Sequence, residues 1–195
     1  MYVLYSAAGT LQELNRVESE RDTWQRPAGI LRALDVHEGN VVADLGSGAG
    51  YFTLKLSPMV GGSGKVLAVD IRKLSLTFLW IRAALRAPHN VHIIAGDPDD
   101  PRLPAQAVDA VLIANTYHEF VHPLVMLHRV SQCLRSGGRL VIVDRDHSGA
   151  IAHQIPIQTV EHDLRSKGFE IIRSDETFID RPGDDRWWLL VARKP

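Results

Sequence analysis

Short apolar runs alternate with longer amphipathic stretches along most of the chain. The apolar runs predict buried strands, whereas the amphipathic stretches repeat their apolar residues at the spacing of a helix. This alternation predicts an α/β fold, with a doubly wound and mostly parallel sheet that carries helices on both faces. Strands are predicted at 41–45, 65–69, 91–95, 107–114, 140–143, 169–172 and 187–192, and helices within 11–34, from 52, and at 74–87, 122–134 and 157–167.

The end of the chain departs from this alternation. Only residues 174–186 separate the sixth and seventh strands, and they contain the turn sequence Pro182-Gly183-Asp184-Asp185. So short a connection suits an antiparallel hairpin better than a helical crossover. The predicted sheet therefore has seven strands and is mostly parallel, with an antiparallel C-terminal hairpin strand.

Prolines and glycines mark the ends of the predicted helices. Pro27 divides the N-terminal helical stretch into two helices or one kinked helix, and Pro88 ends a later one. The Ser-Gly-Gly sequence at 136–138 is predicted to close the helix before it as a glycine C-cap.

Residues 20–27, just before the first break, place many functional side chains in a short space. A solvated helix whose Trp24 covers the core also accounts for this composition. The sequence therefore assigns no functional role to this segment.

The first strand runs into a turn with glycines on alternate positions, Gly46, Gly48 and Gly50. Glycine permits backbone conformations that are closed to other residues, and it lets a ligand lie against the main chain. The N-terminus of the following helix offers unpaired N–H groups to a bound polar group. A strand, a glycine turn and a helix in this order predict a nucleotide site.

Asp70 ends the second strand, about 20 positions beyond the glycine turn. A carboxylate at this place is suited to accept hydrogen bonds from both hydroxyls of a ribose. Ile71 follows and could lie against a base. A solubilising charge at the end of a strand is the alternative explanation of Asp70.

The composition indicates one domain and excludes some partners. The 195 residues, 45% of them hydrophobic, suffice for one core. The formal net charge is −1 with the signs mixed, so the chain lacks the basic footprint that holds nucleic acid. The single cysteine, Cys133, excludes an internal disulfide and a cysteine metal cluster.

The same reasoning sets expectations for the cell compartment. No apolar run approaches the ~20 residues of a membrane span, and no charged leader precedes the mildly apolar start. We therefore expect a cytoplasmic protein that binds neither nucleic acid nor a membrane, and the oligomeric state stays open.

In combination, these motifs resemble those of the class I S-adenosylmethionine-dependent methyltransferases. The resemblance covers the chain from about Trp24 to Arg193. It is carried by Val-Ala-Asp-Leu-Gly-Ser-Gly-Ala-Gly at 42–50, Val-Asp at 69–70, Gly-Asp at 96–97, Val-Asp-Ala-Val-Leu-Ile-Ala-Asn at 108–115 and Leu-Arg-Ser-Gly-Gly-Arg-Leu-Val-Ile-Val at 134–143. It implies a Rossmann-like fold in a single domain over 1–195, with a helical segment at 1–35 flanking the active site and a core at 36–195.

The resemblance also implies S-adenosylmethionine as the cofactor and assigns roles to particular residues. The glycine turn, with Ser47, would pass under the methionine portion, and Asp44 would lie near its ammonium group. Asp70 would hold the ribose. Asp97 would accept from the adenine amino group, with Ile71 and Pro98 near the ring. Asn115 would line the methionine end. Turn formation and helix capping are the alternative explanations of these residues.

The candidates for catalysis follow the fourth strand. A sulfonium methyl donor is already activated, so positioning supplies much of the rate and a base removes the acceptor's proton. His118 and Glu119 come directly after the strand, and a histidine is suited to take a proton near neutral pH. Tyr117 could pack against the donor or the acceptor. A simple helix N-terminus is the alternative, with Glu119 in its first turn.

A metal site is not expected, although oxygen and imidazole groups gather in the sequence. Asp144, Asp146 and His147 follow the fifth strand, and with His118 and Glu119 they could suggest one. The family's metal-dependent members rely on a specific carboxylate set after the fourth strand that is not evident here.

The expected acceptor is a small molecule, methylated on oxygen, carbon, sulfur or an amine. Amino-group methylating members of the family often carry Asn-Pro-Pro-Tyr where this chain has Asn-Thr-Tyr-His at 115–118. This departure argues against nucleic-acid bases and glutamine amides as acceptors. The lone cysteine disfavours metalloid methylation through several thiols.

Two other functions share part of this pattern. A nicotinamide-dependent oxidoreductase also has the glycine turn and the ribose carboxylate, but it requires neither the Gly96-Asp97 pair nor the terminal hairpin. A protein that binds S-adenosylmethionine without catalysis is the second alternative.

Overall fold

The strands form one seven-stranded sheet in the part of the chain that the structure describes. This computed structural model describes residues 2–86, 89–146, 155–181 and 186–195, with side chains from residue 9 onward apart from that of Asp146. The strands are β1 (Val41–Leu45), β2 (Lys65–Asp70), β3 (Val91–Ala95), β4 (Val108–Ala114), β5 (Leu134–Asp146), β6 (Glu170–Ile179) and β7 (Arg186–Arg193).

The sheet order is β3-β2-β1-β4-β5-β7-β6. Strands β1 to β5 pair in parallel, and β7 runs antiparallel to both β5 and β6. The predicted fold class is therefore confirmed. Strand order reverses between β1 and β4, and in such sheets ligands bind at the carboxyl ends of the strands beside this point.

The described helices are α1 (Tyr2–Trp24), α2 (Pro27–Ala33), α3 (Thr53–Val60), α4 (Lys73–Arg86), α5 (Pro123–Cys133) and α6 (Ile157–Ser166). The predicted break at Pro27 is confirmed, because Pro27 begins α2 and Arg26 before it has a left-handed backbone with φ of 52°. The helix α1 starts earlier than predicted. Pro88, expected to end α4, and the turn at 182–185 lie outside the described residues.

The central strands are buried on both faces. In β5, Leu140 and Ile142 pack into one core cluster, whereas Val141 and Val143 pack into the cluster on the opposite face. A strand that is covered on both sides reads as a continuous apolar run, which is why the pattern predicted it.

The predicted glycine C-cap at 136–138 is wrong. The helix α5 ends at Cys133, and the fully buried Leu134 already pairs with Val108 of β4. Gly137 and Gly138 instead exchange backbone hydrogen bonds with Lys194 beyond β7. Glycine preference alone could not reveal this pairing, because it depends on a residue about 60 positions away.

The sixth strand is also longer than predicted. It runs from Glu170 to Ile179 and therefore includes residues that the sequence assigned to the connection. Its middle is polar and exposed because β6 lies at the edge of the sheet, and the register shifts along its pairing with β7. An exposed edge strand does not show the apolar pattern by which a buried strand is recognised.

None of the helices in the described ranges combines the length and the apolar composition that a bilayer span requires.

Candidate functional site

The glycine turn is held at the carboxyl end of the sheet by neighbouring strands. The N–H groups of Gly46 and Ser47 donate to the carbonyl of Val69 at the end of β2, at 2.8 and 3.0 Å. Gly46 has a φ of 80°, and a Cβ at this position would lie 2.3 Å from the side chain of Thr116 after β4. Only glycine therefore lets the turn approach β4 so closely.

The other two glycines have different surroundings. A Cβ on Gly50 would lie 2.3 Å from Leu79, so this glycine lets α4 pack against the turn. Gly48 also has a positive φ, but a Cβ there would meet no atom within 4 Å. The turn therefore presents open main chain at Gly48, where a ligand can approach.

Asp70 is buried beside the turn. Its Oδ2 accepts from the N–H of Gly48 and its Oδ1 from the N–H of Arg72, each at 2.8 Å. These bonds fix the carboxylate, while each oxygen retains a lone pair for a further donor. This arrangement can receive a pair of neighbouring hydroxyl groups.

A cavity of about 140 Å³ lies next to Asp70. It brings together several residues that the sequence placed at the cofactor: Gly46, Asp70, Ile71, Asp97 and Pro98. Ile71 is 54% exposed, so an apolar surface is open to a ligand here. The cavity is mainly apolar, with the carboxylates of Asp70, Asp97 and Glu119 in its lining, which is the usual composition of a small-molecule site.

Ion pairs surround this cavity. Asp97 pairs with Arg102 at 2.7 Å. Glu119, a predicted catalytic residue, pairs instead with Arg72 across the cavity, joining the segment after β2 to that after β4. The carboxylate of Glu119 is thus engaged by a cation beside the cavity.

Asp44 is buried at the end of β1. The hydroxyl of Thr53 donates to its Oδ2 at 2.6 Å. Burial raises the pKa of Asp44 to about 6, and the hydrogen bond from Thr53 opposes this rise. The group therefore titrates closer to neutral pH than an ordinary aspartate does.

His118 lies in a short 3₁₀ turn (Tyr117–Glu119) after β4 and contacts the end of β5. Its ring nitrogen Nδ1 is 2.9 Å from Oδ1 of Asp144, and its backbone N–H donates to Oδ2 of Asp144 at 3.1 Å. The hydrogen bond to Asp144 raises the pKa of His118, and partial burial opposes the rise. The side chain of His118 is 15% exposed, so it remains accessible at one edge.

Tyr117, the third candidate for catalysis, does not line the cavity beside Asp70. It is fully buried, and its hydroxyl donates to Oδ2 of Asp163 on α6 at 2.9 Å. Burial and this carboxylate raise the pKa of Tyr117 well above its ordinary value. These contacts make Tyr117 an anchor between the 3₁₀ turn and α6.

Asn115 continues the pairing of β4 with β5. Its N–H donates to the carbonyl of Val143, and its Oδ1 accepts from Nε of Arg145 at 3.2 Å. The backbone is left-handed, with φ of 56°, which asparagine tolerates better than most residues. The chain therefore turns sharply at Asn115 and directs Thr116 to the glycine turn.

The end of α1 contributes polar residues that were not assigned from the sequence. Nε of Arg21 donates to Oε1 of Gln25 at 2.7 Å, and the guanidinium lies 3.9 Å from the ring centre of Tyr51, just after the glycine turn. Burial lowers the pKa of Arg21, while Asp44 and other acidic groups oppose this effect. The only sequence signal was the density of functional side chains at 20–27.

Three buried side-chain atoms have no hydrogen-bond partner in the described part of the chain. They are Nε2 of Gln25, Oγ of Ser47 and Nε of Arg82, whose Nη1 donates to the carbonyl of Ala49 in the glycine turn. Buried polar groups are nearly always satisfied, so such atoms indicate where a bound polar molecule fits.

A tilted pair of tryptophan rings lies at the same edge of the sheet. The rings of Trp24 and Trp187 are 5.5 Å apart, with Arg181 over Trp24 at 4.6 Å and Arg145 over Trp187 at 5.1 Å. Trp187 pairs with Arg145 across β5 and β7. Trp187 is buried and Trp24 is half-buried, and Arg145 links the pair to Asn115.

The possible metal ligands are only partly described. Asp144 is hydrogen-bonded to the ring of His118. The side chain of Asp146 and all of His147 lie outside the described residues. Among the side chains that are described, no group of three potential ligands comes together.

A family model described as a methyltransferase domain matches residues 36–181. The chain belongs to this methyltransferase domain family. It is a class I S-adenosylmethionine-dependent methyltransferase domain, which confirms the resemblance and the predicted cofactor.

Individual relatives agree with this family. The domain is 31% identical to the ubiquinone/menaquinone biosynthesis C-methyltransferase UbiE of Azotobacter vinelandii over 73% of this chain and 56% of that protein. It is 31% identical to the protein-L-isoaspartate O-methyltransferase of Methanothrix thermoacetophila, over 68% of this chain and 58% of that protein. The chain thus spans about half the length of the curated relatives it matches.

The fold is shared with solved methyltransferases. A SAM-dependent methyltransferase from Aquifex aeolicus superposes with a TM-score of 0.79 at 23% identity, covering 93% of this chain and 96% of that one.

The residues of the site fit S-adenosylmethionine. Gly48 leaves open main chain, and the apolar cavity lies beside Asp70. The unpartnered amide nitrogen of Gln25 can donate a hydrogen bond, and the unpartnered hydroxyl of Ser47 can donate or accept one. The cofactor has a nucleoside end and a polar amino-acid end, and the described residues offer both an apolar cavity and polar groups.

Proposed function

We propose that this methyltransferase domain methylates a small aromatic acceptor that carries an ionisable hydroxyl group, with His118 as the general base. The observation that carries the proposal is the pairing of His118 with Asp144 at the carboxyl end of the sheet. In sequence, His118 lies between Thr116 and Glu119, and both of these residues line the cavity beside Asp70. A base at this point is near both the cofactor and the open edge of the site.

The cofactor-binding roles predicted from the sequence are part of this proposal. Asp70 holds the ribose hydroxyls, and Ile71 and Pro98 lie against the adenine ring, whose amino group donates to Asp97. Their shared cavity supports these roles.

The methionine end is assigned to the other side of the glycine turn. Gly46, Gly48 and Gly50 with Ser47 and Asn115 line it, and Asp44 attracts the ammonium group. We add Arg21 and Gln25 as the partners of the carboxylate. The opposed charges of Arg21 and Asp44, and the unpartnered amide of Gln25, support this arrangement.

The chemistry divides between the cofactor and the chain. S-adenosylmethionine, when bound, supplies a methyl group from its sulfonium sulfur, which keeps the electrons of the broken C–S bond and becomes a thioether. The chain holds the acceptor in line and removes its proton, which passes from the acceptor hydroxyl to Nε2 of His118. Loss of this proton increases the electron density on the hydroxyl oxygen and on the adjacent ring carbons, either of which can form the new bond.

The aromatic class of acceptor rests on two observations. The UbiE relative is described as a C-methyltransferase of quinone biosynthesis. In this chain, the half-buried Trp24 presents an aromatic surface at the carboxyl end of the sheet, packed against the buried Trp187. Aromatic rings prefer such surfaces, with favourable stacking of about 0.5–1.5 kcal/mol beyond the burial of area.

The test is methylation with labelled S-adenosylmethionine. The acceptors would be a short-chain demethylated quinol, its dimethyl ether, and an isoaspartyl peptide. We expect label only in the quinol, because the ether has no proton to lose and the peptide has no ring to activate. Label in the peptide alone would reject the aromatic acceptor.

A matched pair of histidine variants tests the base. His118→Gln should lower the rate about 10²–10⁴-fold, the usual contribution of a general base, with little change in cofactor affinity. His122→Gln is the control, because His122 also pairs with an aspartate, Asp99 at 2.9 Å, but on the exposed surface. An active His118→Gln enzyme would reject His118 as the base. Binding of S-adenosylhomocysteine without methylation of any acceptor would favour the non-catalytic alternative.

A further inference from the structure

We infer that Asp144 is a positioning residue that holds His118 in the tautomer with its hydrogen on Nδ1, so that Nε2 is free to take the acceptor's proton. This inference rests on the proposed role of His118 in methyl transfer. Asp144 itself contacts neither acceptor nor cofactor in this arrangement, because it acts through the imidazole.

The hydrogen bonds around Asp144 determine the tautomer. Its Oδ1 accepts from the backbone N–H of Arg145 at 2.8 Å, and its Oδ2 accepts from the backbone N–H of His118 at 3.1 Å. Nδ1 of His118 lies 2.9 and 3.1 Å from the two oxygens. An ionised carboxylate only accepts hydrogen bonds, so Nδ1 must carry the hydrogen.

Burial of Asp144 favours its contact with His118 over contacts with water. Asp144 is 2% exposed, so little water competes for its oxygens. The backbone bond from His118 and the ring bond join the same two residues, which restrains the ring orientation as well as its tautomer. A histidine nitrogen that is fixed in this way leaves the other nitrogen as the acceptor.

Charges on each side of His118 affect its protonation. Asp144 on β5 and Glu119 in the same turn favour the imidazolium, whereas Arg145 on β5 disfavours it. Arg72 engages Glu119 from the segment after β2. Asp144 makes the only direct hydrogen bond to the ring among these groups in the described residues, so its removal should have the largest effect.

The first experiment observes the tautomer without catalysis. Long-range ¹H–¹⁵N correlation spectra at a pH where the ring is neutral distinguish the two nitrogens, and His118→Gln identifies the signals of His118 among the nine histidines. We expect hydrogen on Nδ1 in the parent chain. Asp144→Asn should produce a mixture of tautomers or hydrogen on Nε2, and should lower the pKa of His118. The matched control is Asp99→Asn, which breaks the exposed pair with His122 and should leave His118 unchanged.

The second experiment measures methylation against pH. In the parent, kcat should rise as His118 loses its proton. Asp144→Asn should lower kcat by 10-fold or more and move this rise to lower pH, with little change in the KM of the acceptor. The double variant His118→Gln, Asp144→Asn should be no slower than His118→Gln alone, because Asp144 acts through His118.

The outcomes separate this inference from the proposed function. Hydrogen on Nε2 in the parent chain would overturn the inference even if Asp144→Asn failed to fold. An unchanged tautomer and an unchanged pH profile in a folded Asp144→Asn would overturn it as well. An active His118→Gln enzyme would instead reject the proposed base, whatever the spectra show.

Discussion

Arg82 on α4, which is buried, and Glu18 on α1, which is half-buried, form an ion pair, with Nη1 of Arg82 2.7 Å from Oε1 of Glu18. Their side chains are 3% and 16% exposed. Arg82 also donates to the carbonyl of Ala49 in the glycine turn. One guanidinium thus joins α1, α4 and the glycine turn.

Breaking this pair should destabilise the fold. Glu18→Gln leaves the buried charge of Arg82 uncompensated, which typically costs about 3–5 kcal/mol. The control is Glu13→Gln, since Glu13 pairs with Arg16 on the exposed face of α1, and exposed pairs contribute about 0–1 kcal/mol. Urea denaturation would measure both. Equal free energies of unfolding for the two variants would contradict the role of the buried pair.

Asp70→Asn should weaken binding of the cofactor. The amide keeps the shape of the side chain but replaces a charged acceptor, so we expect a loss of about 1–3 kcal/mol in the affinity for S-adenosylhomocysteine. Asp109→Asn is the control, because Asp109 also accepts from a backbone N–H, that of Val41, at the opposite end of the sheet. Calorimetry should show a change only for Asp70→Asn. Unchanged affinity would remove Asp70 from the ribose site.

Arg21→Met should affect one end of the cofactor. S-adenosylhomocysteine and methylthioadenosine share the nucleoside, but only the first carries the amino-acid group. If Arg21 binds the carboxylate, the variant should lose about tenfold or more in affinity for S-adenosylhomocysteine, equivalent to about 1.4 kcal/mol, and little for methylthioadenosine. A similar loss for both ligands would indicate a structural role for Arg21.

The fold was predictable where burial imposes a pattern. β1, β4 and the middle of β5 are covered on both faces, so their apolar runs identified them. The polar edge strand β6 has no such constraint, and its extension to Ile179 was missed. The pairing of Gly137 and Gly138 with Lys194 was missed because nothing local distinguishes it from a helix cap.

The site was predictable where chemistry requires a particular residue near a strand end. Asp70, Asp97, Ile71 and Pro98 line one cavity, as expected from their positions after β2 and β3. Tyr117 also follows a strand, but its side chain turns into the core, and sequence position does not determine side-chain direction. Arg21 and Gln25 are distant in sequence from the glycine turn, so their proximity appears only when α1 packs.

The buried carboxyl of Asp44 should lower the stability of the fold when it is ionised, although the ionised form is the one proposed to attract the ammonium group of the cofactor. The pKa of its carboxyl is about 6 in the fold and 3.8 ordinarily. The folded state therefore holds the proton more tightly, and the stability that this provides is complete below pH 3.8 and is lost as pH rises through 6. The loss is about 3 kcal/mol above pH 7, taking about 1.4 kcal/mol for each pH unit between the two pKa values.

Asp44→Asn imitates the protonated form at every pH. The variant should therefore be more stable than the parent at neutral pH but should bind the cofactor more weakly. Relative to the parent, the variant should gain stability at pH 7.5, and the gain should shrink by about 2 kcal/mol at pH 4.5, because the parent is then protonated in its folded state. Urea denaturation at the two pH values would measure this, with Asp109→Asn expected to show no gain. At pH 7.5 the same variant should bind S-adenosylhomocysteine more weakly, since the ammonium group loses its anionic partner, and bind methylthioadenosine as before. A variant that is less stable than the parent at pH 7.5 would show that the hydrogen bond from Thr53 outweighs the cost of burying the charge.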